Sequence, residues 1–192
     1  MKAITATKGE LIFVDDFAYD TLNQFTWRIW ERGRYKYAIN GQGQKMHRMI
    51  MYVLEKPKIL VDHIDGNGLN NQKHNLRLCN NADNAKNRKM SSKNTTGYKG
   101  LYCNKTTGKY MSFCTGNGIR ECSDYFIEDY KAALAYNDIA IRLHGKFARL
   151  NVLNDIDMLK MIMTGQMDEL DRHLKMCQSD KTANDILQKY QK

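Results

Sequence analysis

The sequence predicts an α+β protein made of two small domains and a helical extension. Three observations predict it. Residues 4–40 carry β-type alternation between turn signals. Residues 58–90 read as strand, loop, strand and helix. Residues 97–151 read as three short strands followed by one amphipathic helix. Between the last two, Met90 to Thr96 is built of Ser, Lys, Asn and Thr, a linker composition. The expected division is 1–90, a linker over 91–96, a second domain over 97–151, and a helical extension over 152–192.

The first segment is justified by Ile4, Leu11–Val14, Phe25, Trp27, Ile29, Tyr35, Tyr37 and Ile39, separated by Asp15-Asp16, Arg32-Gly33 and Asn40–Gly43. It is expected to form one small antiparallel sheet. Residues 46–55 suit a short buried helix, which must stop before Pro57 because the residue preceding proline is pushed out of the helical region. Ile59-Leu60-Val61 then reads as a strand ending in Asp62-His63, and Asp65–Gly68 as a turn. Leu76 and Leu78 fall on alternate positions of a returning strand. Asn80 or Asn81 can cap the helix that follows, on which Asn84 and Arg88 would lie one turn apart.

Hydrophobic residues make up 42% of the 192-residue chain and charged residues 27%, as in globular proteins. No apolar run reaches membrane-spanning length, and Met1–Glu10 has no signal-peptide core, so the expected location is cytoplasmic. Five cysteines (Cys79, Cys103, Cys114, Cys122 and Cys177) form no C-x-x-C pair and one is left over from any pairing. That predicts free thiols and excludes a zinc ribbon. The net charge of +9 is uneven: residues 84–120 hold eight Lys or Arg and no acid. Such a block either meets a polyanion or solvates a face.

The run Asp62-His63-Ile64-Asp65-Gly66-Asn67, with Asn70-Asn71, then Asn75-Leu76-Arg77, then the Asn-rich helix through Asn84, and His47-Arg48 upstream, resembles the HNH nuclease family in its phage and intron homing form. The resemblance implies a ββα-metal core. It implies a divalent ion, magnesium or manganese, on the carboxylate of Asp62 and the amide oxygen of Asn84. It makes His63 the general base, with Asn75 tying down the loop that holds it, and 5′-phosphate and 3′-hydroxyl products. An imidazole with an ordinary pKa near ~6.5 can accept a proton at neutral pH. His47 is read as structural. The family often carries Trp where this chain has Leu78, a packing position.

A second stretch runs from Gly97-Tyr98-Lys99-Gly100 through Thr107–Tyr110, Tyr125-Phe126 and Ala132–Asn137 to His144-Gly145-Lys146-Phe147-Ala148-Arg149-Leu150-Asn151. It resembles the APETALA-type DNA-binding domain, although Tyr110 replaces a usual Trp and Asp124 a usual Gly. The resemblance implies a three-stranded sheet laid in the major groove of double-stranded DNA with a helix behind it. A β-ribbon fits that groove. Lys99, Lys105, Lys109 and Arg120, with Tyr98 and Arg88, are the expected DNA contacts. Helices are expected near 155–178 and 181–190, serving to pack on the preceding domain or to form a homodimer. The whole is read as a site-selective, metal-dependent DNA endonuclease of the homing type. The rival reading is a DNA-binding regulator without cleavage.

Overall fold

The computed structural model describes residues 1–33 and 35–177, in two compact units that divide between Asn87 and Arg88. Both are mixed α+β, with small antiparallel sheets. No helix among the described residues is long and apolar enough to cross a membrane.

The first unit has six strands in three two-stranded ribbons: β1 (Lys2–Thr5) with β2 (Leu11–Val14), β3 (Trp27–Arg32) with β4 (Tyr35–Asn40), and β5 (Leu60–His63) with β6 (Leu76–Cys79). The segment 4–40 is therefore two hairpins rather than one sheet. A seven-residue helix, α1 (Asp16–Leu22), separates them where only a turn was expected. It is too short to show a helical period, yet Ala18, Tyr19 and Leu22 pack on the core. Helix α2 (Met46–Ile50) spans five residues and stops well short of Glu55. The Arg48 guanidinium collects the carbonyls of Val53, Lys56 and Ile59, which satisfies that backbone outside a helix. Helix α3 (Asn81–Lys86) closes the unit, and the Asn80 side chain caps it by accepting from the Asp83 N–H. Ile12, Val14, Trp27, Ala38, Met46, Ile50 and Leu76 are buried together and form the core. Leu78, expected to pack, is 46% exposed at the far end of its ribbon.

The second unit holds β7 (Leu101–Cys103), β8 (Tyr110–Gly116) and β9 (Ile119–Cys122) in the order β7-β8-β9, antiparallel throughout. Helix α4 (Asp129–His144) ends at Gly145 and packs on this sheet through Ala132, Ala133, Tyr136, Ile139 and Ala140. Asn137 and Asn151 exchange two hydrogen bonds beneath the helix, and Asn151 reaches on to both backbone groups of Lys99. The helix expected over 155–178 is two, α5 (Asp155–Met163) and α6 (Met167–Cys177), broken at Gly165, which takes φ +74°. The helix expected at 181–190 lies outside the described residues. None of the five cysteines is in a disulfide.

Gly100 is where helix and sheet come closest. Its φ is +74°, and an added Cβ would stand 2.3 Å from the Tyr136 ring and 2.7 Å from the Phe113 carbonyl oxygen. Gly100→Ala therefore combines backbone strain with overpacking, and is expected to cost about 2–4 kcal/mol. Calorimetric melting of the full chain checks this; an unchanged midpoint would contradict the packing described.

Candidate active site

Residues 64–75 bridge β5 and β6, and the register Asp62↔Arg77 and His63↔Leu76 sets both ends of this loop. Its interior is held by amides and one carboxylate. Asp65 accepts from the Asn67 N–H, from Asn75 Nδ2 and from Asn70 Nδ2. Asn75 is buried; its Oδ1 accepts from the Asp65 N–H, and its Nδ2 also donates to the Asn70 carbonyl. Asn75 thus spans the loop. The loop is also fastened to β2 by Phe13 N–H to the Leu69 carbonyl and Asn71 N–H to the Phe13 carbonyl. Gly68 lies so close to β4 that a Cβ would overlap the Lys36 carbonyl oxygen.

Asp62, 7% exposed, is the meeting point of strand and helix. Arg77 on β6 donates to its Oδ2 from both Nε and Nη2, at 2.9 and 2.6 Å. Asn87, the buried residue that caps the end of α3, shares the two hydrogens of its Nδ2 among the Asp62 carboxylate and the carbonyls of His63 and Ile64, all within 3.3 Å. Arg77 belongs to the Asn75-Leu76-Arg77 run of the motif but carried no assigned role, and Asn87 does not stand out in the sequence as part of the site. Their only signal is the run of Asn and Arg around the motif. Asn84 lies on α3, three residues before Asn87, and its own side chain is exposed. Arg88 is not on the helix, which ends at Lys86.

His63 is 5% exposed. Its Nε2 lies 3.3 Å from Asn71 Oδ1, while Asn71 Nδ2 donates to the Gly68 carbonyl. That amide orientation makes His63 Nε2 the protonated nitrogen and leaves the lone pair on Nδ1. Burial holds the imidazole below its ordinary pKa, opposed by the Asn71 bond and by the carboxylates of Asp65 and Asp62. The ring of His47 packs edge-on against it at 5.0 Å, and Tyr37 touches both, at 5.2 Å from His47 and 5.9 Å from His63. His47 therefore belongs to the site as a neighbour of His63, and its Nδ1 is buried without a hydrogen-bond partner.

Among the described residues no three His, Cys, Asp or Glu side chains gather as a metal cluster. Of the two expected metal ligands, the Asp62 carboxylate is buried and accepts from Arg77 and Asn87, and the Asn84 side chain on α3 is exposed. Oxygen donors of that kind suit magnesium or manganese, whose remaining positions go to water and phosphate.

Of the expected DNA contacts in the second unit, Lys105 and Lys109 are exposed in the β7–β8 turn, and Arg120 is exposed with its guanidinium 4.3 Å from the Phe113 ring centre. Lys99 is half-buried, and its Nζ donates to the Arg88 carbonyl; burial lowers its pKa to about 8. Tyr98 is a correction. It is 5% exposed, its hydroxyl donates to Asp157 on α5 and accepts from Asn154, so it belongs to the core and not to a DNA-facing surface.

A strand pair and a short helix thus gather around one buried carboxylate and one buried imidazole. The chain is 30% identical over 151 residues to an uncharacterized HNH endonuclease of Acanthamoeba polyphaga mimivirus, covering 77% of this chain and 78% of the relative. It is 37% identical over 90 residues to Protein 3.8 of Escherichia phage T7, covering 46% of this chain and 73% of that one. No family model and no solved structure matches. The chain belongs to the HNH endonuclease family.

Burial lowers the His47 pKa from 6.5 to about 2, with the neighbouring His63, Lys45 and Arg48 adding to the effect. The folded chain then refuses a proton that the unfolded chain binds below ~6.5, so the stability tied to His47 is intact above that pH and falls as pH drops, by at most about 1.4 kcal/mol per unit. Denaturant unfolding at pH 7.5 and 5.0 should show this loss, and His47→Phe should flatten it. An equal pH slope in both proteins would refute it.

Proposed function

We propose that this chain is a metal-dependent, site-selective DNA endonuclease of the phage homing type, acting in the cytoplasm of a bacterial host. One observation carries the reading. Asp62, held by Arg77 and Asn87, and His63, oriented by Asn71, stand side by side at the end of one strand, above a loop that Asn75 ties shut.

His63 Nδ1 takes the proton of the attacking water, and its depressed pKa keeps the ring neutral and ready to do so. Asn75 and Asp65 keep the loop, and with it the imidazole, from swinging away. Asp62 and Asn84 would hold a magnesium or manganese ion. Such an ion, when bound, neutralises charge on the scissile phosphate and its leaving oxygen. Arg77 and Asn87 orient the Asp62 carboxylate and spread its charge, which leaves it a fixed ligand rather than a mobile base. The products expected are a 5′ phosphate and a 3′ hydroxyl.

The second unit, in this reading, is an APETALA-type module that grips double-stranded DNA. Its order of three strands and a packed helix supports this, as do the exposed cations Lys105, Lys109 and Arg120. Those side chains contact phosphates, and a sheet reaches base edges in the major groove. The exposed apolar residues Ile156, Leu159, Ile162 and Met163 on α5 support self-association as a homodimer.

Nicking of supercoiled plasmid with magnesium tests the central reading. His63→Ala is expected to slow cleavage about 100- to 10,000-fold while DNA binding persists. If wild type and variant are equally inert yet both bind, the chain is a DNA-binding regulator instead. Lys105→Ala and Lys109→Ala are each expected to lower the salt slope of duplex binding by roughly 1. Unchanged slopes would take them out of the interface.

A further inference from the structure

The β3–β4 hairpin has two faces of different character. Trp27, Ile29 and Ala38 turn into the core. On the other face the paired positions Trp30↔Tyr37 and Arg32↔Tyr35 bring three aromatic rings and a guanidinium together. Trp30 and Tyr37 stack at 6.1 Å between ring centres, and Tyr35 and Tyr37 at 6.5 Å with planes only 10° apart. Lys45 lies over this stack, its Nζ 5.2 Å from the Trp30 ring and 5.5 Å from the Tyr37 ring. These side chains, with Gly33, line an open cavity of about 440 Å³, within the usual range for small-ligand sites. Neither Lys45 nor Arg32 has an acidic partner among the described residues, although Lys36 and Glu31 on the opposite face pair with each other. Tyr37 is the shared wall, since the same ring touches His63.

We infer that this cavity takes one unpaired nucleobase of the DNA strand being cut, stacked on the Trp30 ring, with the adjoining phosphate on Lys45 and Arg32. The inference deepens the nuclease reading and rests on it for the substrate class. Planar rings open at the surface suit the π-face of any base, and cations beside them suit the backbone that carries it. A fully paired duplex keeps its bases stacked inside and cannot fill the cavity. Mismatched or frayed positions release a base at little cost. The site therefore favours DNA that is locally open beside the cut, and Tyr37 relates the captured base to His63.

The test is anisotropy of the full chain with a fluorescein-labelled single strand of about 12 nucleotides and with the same strand fully paired, both in EDTA so that nothing is cleaved. Trp30→Leu and Lys45→Gln are each expected to weaken single-strand binding on the order of ten-fold and duplex binding at most about two-fold. Trp30→Phe, which keeps a ring, is expected to recover most of the loss, and thermal melting of each variant reports its folding. Wild-type affinity for the single strand in Trp30→Leu and Lys45→Gln would overturn the inference. So would equal losses on single strand and duplex, which mark a general polyanion surface. Plasmid nicking by wild type and His63→Ala is read separately, so a chain that captures the single strand but does not cut refutes the nuclease reading alone.

Discussion

A carboxylate buried to 7% exposure, at the end of a strand, must have its charge met by donors or it will not stay charged there. Asp62 meets this requirement with Arg77 from the partner strand and Asn87 from the end of the helix. The three elements are thereby tied at a single point, and Asn87 adds the carbonyls of His63 and Ile64 to the knot. Loss of one partner from a buried ion pair typically costs about 3–5 kcal/mol. The strand pair, the helix and the position of His63 all depend on this one cluster.

The loop between β5 and β6 follows a similar logic with amides in place of charge. Asn67, Asn70 and Asn75 converge on Asp65, and Asn71 turns its oxygen to His63. Asparagine suits the task because it both donates and accepts and tolerates turn geometry. Each amide is fixed by its partners, so the imidazole is fixed too. The orientation of the ring is thereby set within the loop.

The hairpin β3–β4 links core and site through the alternation of a strand. Successive side chains point to opposite faces, so Trp27 is buried at 1% exposure while Trp30, three residues on, lies in the open aromatic cavity. Tyr37 sits between Trp30 on one side and the two histidines on the other. Gly68 allows the motif loop to approach this strand without a side chain in the way.

The β5–loop–β6–α3 order and the Asn80 cap were legible in the sequence because each depends on neighbours within about thirty residues, at spacings that local geometry dictates, whereas the loop-tying role of Asn75 was an expectation from the family resemblance alone. The helix–sheet order of the second unit was legible for the same reason, since the period of α4 and the turns between its strands are local. Other features required the assembled structure. Tyr98 looked like a surface residue of a basic strand but is core, because α5 brings Asp157 to its hydroxyl from 59 residues away. Helix α2 stops at Ile50 because the chain leaves the helical region at Tyr52, which takes φ +54°, and Arg48 then satisfies the carbonyls of Val53, Lys56 and Ile59 beyond it. Arg77, Asn87 and His47 join the site only when strand, helix and hairpin converge. Sequence by itself determined which chemical groups are present and the local elements that carry them. Tertiary structure decided which of those groups are buried and which donors meet them there, and burial with those partners sets how a carboxylate is held and which way an imidazole pKa moves.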